Sequence, residues 1–97
     1  MQPDSSKTFQ GKLPVAVVTA HMPTAIHYLR ERYEVEQINF ASNRITTRSG
    51  LVFYLVTKRE QLLGMEIQGI IDAPWARDNK EYHEIHEFAM TRIRREP

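Results

Sequence analysis

Two stretches of this chain are apolar without a break, and they restrict its fold more than any other feature. They are Val15-Ala16-Val17-Val18 and Leu51-Val52-Phe53-Tyr54-Leu55-Val56. Both are rich in β-branched and aromatic residues, which favour strands. A strand with one wet face alternates apolar and polar residues; an uninterrupted run suits a strand covered on both faces. Covering both faces takes helices on each side, so strands and helices should alternate along the chain.

The segments around the two runs supply that alternation. Pro23 is placed to begin a helix, since its missing N–H would be unpaired there anyway. Ala25 to Tyr33 follows with Ile26, Leu29 and Tyr33 at helical spacing. Glu36 to Phe40 alternates, with Ile38 and Phe40 on one face, and predicts a strand. Ser42-Asn43 and Arg48-Ser49-Gly50 are turn signals that bracket a short strand at Ile45-Thr46-Thr47. After the second run, Thr57-Lys58-Arg59-Glu60 has the form of a capping box, opening a short helix that Gly64 ends. Met65 to Asp72 predicts another strand, closed by Pro74. Asp78 to Glu81 is a second box-like start, with Asp78 as cap. The last helix is expected to run to about Arg95, burying Tyr82, Ile85, Ala89 and Ile93 with Phe88 beside them.

The order predicts a small single-domain α/β layer sandwich over residues 13–97. Its sheet should be mixed, with four to five strands and about three helices. Residues 1–12 are polar and read as a flexible leader with little to bury. The 97 residues suffice for one core and not for two.

Composition excludes several functions. Cysteine is absent, so disulfides, thiolate metal sites and cysteine nucleophiles are excluded together. The apolar runs fall far short of the roughly 18–20 residues of a membrane span. The polar start is not a signal peptide, and the cytoplasm is the expected location. Thirteen Lys and Arg against twelve Asp and Glu leave a net charge of +1, which argues against nucleic-acid binding by overall charge.

Several residues are candidates for chemistry. Gly11-Lys12 is followed by Leu13 and no glycine precedes it at the spacing of a phosphate loop; no G-x-G-x-x-G occurs either. Thr19, His21 and Thr24 stand where the first strand passes into a helix, a place that can hold an anion or simply cap the helix. His83 and His86, three apart, are weak metal candidates, with His21 or His27 as a distant third ligand; a solvated helix face is the plainer reading. Asp72 ends an apolar strand, where an acid holds magnesium opposite a phosphate loop, or otherwise serves a turn or cap. Trp75 beside Pro74 is either a satellite-core aromatic or an interface anchor. Arg92, Arg94 and Arg95 near the C-terminus could contact phosphates together with Arg44, Arg48, Lys58 and Arg59, although Glu81, Glu84, Glu87 and Glu96 dilute such a patch. No elbow motif surrounds a serine.

The order of segments also resembles the core of helicase and terminase-type ATPases over about residues 14–73. The resemblance rests on Val15-Ala16-Val17-Val18-Thr19-Ala20 with its helix, then Ile38-Asn39-Phe40 and Asn43-Arg44-Ile45 with Gly50, then Gln61-Leu62-Leu63-Gly64 and Gly69-Ile70-Ile71-Asp72. The chain departs from that family in lacking the phosphate loop, and Ala73 stands where the family has its catalytic Glu. The resemblance therefore implies a truncated, non-catalytic relative with a parallel α/β plan.

Together these features lead to the expectation of a non-enzymatic accessory protein of phage or mobile-element type, without a cofactor. It would bind a protein partner through Pro74 and Trp75. The alternative is a nucleic-acid-binding module using Arg44, Arg48, Arg92, Arg94 and Arg95. A homodimer is a further expectation, because small domains often hide sheet edges by association.

Overall fold

Both uninterrupted runs become interior strands of one sheet. The computed structural model describes residues 13–93. Strand β1, Val15–Val18, has β4, Val52–Val56, on one side and β5, Gly69–Asp72, on the other, both parallel to it. Helix α1, Met22–Arg32, leads from β1 to an antiparallel hairpin of β2, Val35–Asn39, and β3, Arg44–Thr47. The hairpin joins the sheet through β3, antiparallel to β4, giving the order β2-β3-β4-β1-β5. Short 3-10 turns cover Arg59–Leu62 and Ala76–Asp78, and helix α2 is Tyr82–Met90. The fold is α/β with a mixed five-stranded sheet; among the described residues, two helices and two 3-10 turns stand where about three helices were expected.

The pleat of β1 explains why its run has no polar residue. Val15 and Val17 pack with Ala25, Leu29, Phe53 and Leu55 under α1, while Ala16 and Val18 pack with Val56, Leu62, Ile85 and Ala89 under α2. All four β1 side chains are fully buried. Burying a valine contributes roughly 1.5–3 kcal/mol, so a polar residue on either face would be strongly destabilising.

Several local expectations are corrected. β2 stops at Asn39, because its Oδ1 accepts the Ser42 amide at 3.1 Å and closes a turn. Phe40, expected on the buried face beside Ile38, is 70 % exposed. The turn after β4 is closed by Gln61 rather than Glu60: Gln61 Oε1 accepts the amides of Thr57 (2.7 Å) and Lys58 (2.8 Å). The strand expected over 65–72 is confined to Gly69–Asp72, since the Met65 amide is turned back to the Leu62 carbonyl and Ile67 makes only an isolated bridge to Ile93. Asn79, not Asp78, closes the entry to α2, its Oδ1 accepting the Glu81 amide at 2.7 Å.

Helix α2 ends at Met90, short of Arg95. Thr91 Oγ1 donates to the Phe88 carbonyl at 2.6 Å, and the Arg92 carbonyl accepts the Ile67 amide at 3.0 Å, drawing the chain off the helix. The expected leader, residues 1–12, and Arg94, Arg95 and Glu96 lie outside the described residues. Among the described residues, no helix is long and apolar enough to cross a membrane.

Candidate functional site: the carboxyl edge of the sheet

Because β1, β4 and β5 are parallel, Thr19, Thr57 and Asp72 all lie at one edge of the sheet. β2 runs in the same direction, so the turn after it lies at this edge too; the Leu55 amide donates to the Asn43 carbonyl at 2.9 Å. In open α/β sheets this carboxyl edge is where ligands generally bind.

The structure brings Thr19, His21 and Thr24 together, and they satisfy one another. Thr19 is fully buried; its hydroxyl donates to the His21 carbonyl at 2.9 Å and accepts the His21 amide at 3.0 Å. His21 Nδ1 lies 2.9 Å from Thr24 Oγ1. Beside them, Asn79 acts as a staple. Its Nδ2 donates to the carbonyls of Thr19 (2.9 Å) and Thr57 (2.8 Å), tying the ends of β1 and β4 to the segment before α2. Glu81 Oε1 accepts the Arg59 amide at 2.8 Å and extends the tie to the first 3-10 turn.

Asp72 neither closes a turn nor caps a helix among the described residues. Its carboxylate accepts from Tyr82 Oη at 2.7 Å and lies 2.7 Å from His86 Nε2. Tyr82 and His86 are one helical turn apart on α2, and their ring centres lie 4.6 Å apart. The hydrogen bond to Asp72 raises the Tyr82 phenol above its ordinary pKa, with burial and the Asp72 charge acting in the same direction. Arg77, its guanidinium 5.4 Å from the Tyr82 ring, partly opposes the shift. His83 lies edge-on to the same ring at 5.2 Å, while His27 pairs with Glu31 on α1 at 3.2 Å. Among the described residues, no three or more metal-ligating side chains form a group that could hold an ion.

Among the described residues, Arg44, Arg48 and Arg92 of the predicted patch do not converge. Arg44 heads β3 at the carboxyl edge, its guanidinium 5.5 Å from the Tyr54 ring. Arg48 lies beyond the other end of β3, 3.8 Å from Glu34. Arg92 lies past α2, donating Nε to the Met65 carbonyl at 3.1 Å, with its guanidinium 5.4 Å from Phe88. Strands β4, β1 and β5 separate Arg48 from Arg92.

Trp75 is the most exposed large hydrophobic side chain described, at 73 %. Its backbone is left-handed, with φ 67°. The cause lies on either side of it. Ala73 is buried in the layer under α1, and its amide donates to the Val18 carbonyl at 2.9 Å. Ala76 is buried in the layer under α2. The chain must therefore cross the end of the sheet in three residues. Proline cannot take a positive φ, so Trp75 makes the reversal. For a bulky side chain that conformation costs on the order of 1–3 kcal/mol. The satellite-core reading of Trp75 is overturned, because the side chain is in water.

Sequence reasoning did not find the Asp72–Tyr82–His86 cluster or the Asn79 staple. The first had a signal: a carboxylate at a strand end, and two hydrogen-bonding rings at i, i+4 on the following helix. The second depends on two distant carbonyls meeting, which no local pattern encodes. Compared with known proteins, the chain matches no family model, no curated protein and no solved structure.

Proposed function

We propose that the protein is a non-enzymatic binding module that docks a partner protein through Trp75 and the adjoining Pro74. The observation that carries this reading is the combination of strain and exposure at one residue. The reversal at position 75 is required by the fold, but glycine or asparagine would make it at lower cost. The only tryptophan of the chain stands there instead, 73 % exposed. Tryptophan is one of the residue types enriched among interface hot spots.

The test is capture from lysate by the tagged chain, with and without nuclease, alongside Trp75→Ala. A protein that survives nuclease and is retained by the native chain, yet is largely lost by Trp75→Ala, is the expected result. Equal capture by both would overturn the reading. Recovery of nucleic acid, with every protein lost on nuclease treatment, would favour the arginines instead.

A further inference from the structure

Among the described residues, no strand lies beyond β5 in the sheet. An outermost strand presents a row of unpaired backbone N–H and C=O groups. The Ala73 amide donates to the Val18 carbonyl at 2.9 Å, and backbone groups alternate sides along a strand, so the Ile71 amide also faces β1. Ile70 and Asp72 then turn their amides and carbonyls outward. Just before β5 this outward side is already taken. Ile67 pairs in parallel with Ile93, its amide donating to the Arg92 carbonyl at 3.0 Å, and Arg92 Nε donates to the Met65 carbonyl at 3.1 Å. The chain after α2 therefore reaches Ile93 beside the entry to β5 and runs in the same direction. It continues as Arg94-Arg95-Glu96-Pro97.

We infer that residues 94–97 dock on the outer edge of β5 as a sixth, parallel strand. Continuity selects this occupant: pairing already begins at Ile67 and Ile93, and the next residues of the same chain meet the open groups first. The register follows from the faces. Ile67 and Ile70 both pack under α2 although three residues apart, so one extra residue is accommodated at Gln68, whose amide turns to the Pro14 carbonyl at 2.9 Å. Past that bulge the Ile70 amide donates to the Arg94 carbonyl, the Glu96 amide to the Ile70 carbonyl, and the Asp72 amide to the Glu96 carbonyl. Positions 95 and 97 face away from β5 along the backbone. Position 97 is a proline, which an edge strand accepts in that orientation because it lacks the N–H. Arg95 falls on the α2 face with Ile93, diagonal to the carboxylate of Asp72, a pair of opposite charge. Arg94 and Arg95 thereby belong to the sheet and not to a phosphate-binding patch.

The experiment is amide hydrogen exchange, read by NMR, on the full chain and on Glu96→Pro and Arg95→Pro, each at a low and a high protein concentration. Glu96→Pro removes an amide that the register turns toward β5; Arg95→Pro removes one that it turns away. In the native chain the Ile70 and Asp72 amides should be protected equally at both concentrations. Glu96→Pro should speed their exchange about tenfold or more, and Arg95→Pro should leave it nearly unchanged. The Ile71 amide, turned to β1, should stay slow in all three and so report that each is folded. Ile70 and Asp72 amides that exchange as fast in the native chain as in Glu96→Pro would overturn the inference, as would equal acceleration by both proline variants. Protection that grows with concentration would overturn it in favour of a second copy at this edge.

Discussion

Two non-glycine residues among those described adopt a left-handed backbone, and both lie at the carboxyl edge. Asn43 has φ 58° and Trp75 has φ 67°. Asn43 is the ordinary case: a short polar residue that tolerates this region, in a hairpin turn closed by the Asn39 side chain. Trp75 is its opposite, a bulky residue in a conformation that bulky residues avoid, with its ring in water. Both turns need the reversal, so the conformation by itself says nothing about function. The choice of residue separates them: position 43 carries a side chain suited to the turn, whereas position 75 carries one that the turn disfavours and that the proposed docking role would account for.

The largest expected effect is on binding. Trp75→Ala should weaken partner affinity by about 2 kcal/mol or more, roughly thirtyfold, while Asn43→Ala leaves it unchanged; titration calorimetry distinguishes the two. Next comes the support of the Trp75 turn. Asn79→Ala leaves the Thr19 and Thr57 carbonyls without its two hydrogen bonds and should cost about 1–3 kcal/mol in urea unfolding. A negligible loss would mean that the turn is held mainly by the burial of Ala73 and Ala76. For the Asn43 turn, Asn43→Ala should cost about 1 kcal/mol, while Asn43→Gly should stay within about 0.5 kcal/mol of the native chain.

The smallest effect concerns the stem of the Trp75 turn. Asp72 favours the neutral phenol of Tyr82 in the folded chain. A phenol with a raised folded pKa contributes stability below its unfolded value of about 10, and that contribution is lost as pH rises through the folded value. The melting temperature should therefore pass from neutral pH to about pH 10 without a Tyr82-dependent change and then fall. Tyr82→Phe should make the alkaline fall shallower; an unchanged alkaline limb would contradict the assignment.

What was legible in the sequence follows physical range. The runs at 15–18 and 51–56 declared buried strands because burial on both faces removes polar residues locally. The stripe of α2 was legible through Tyr82, Ile85 and Ala89, all buried. Phe40 was misplaced because the alternation continues through it, while the strand is ended by a side-chain hydrogen bond that alternation does not register. The two readings of Trp75 could not be separated, since its position depends on Ala73 and Ala76 being drawn to opposite faces of a sheet assembled from distant segments. Asp72 showed a chemical character in the sequence; its partners appear only when α2 packs over the end of β5.

The central claim is that Trp75 is retained at the expense of the fold that carries it. Trp75→Gly, measured for stability by urea unfolding and for partner affinity by titration, tests it most directly. Glycine relieves the left-handed strain and removes the exposed ring, so stability should rise by about 0.5–1 kcal/mol while affinity falls by the same large factor as in Trp75→Ala. A variant that loses stability, or that gains it and still binds normally, would contradict the account.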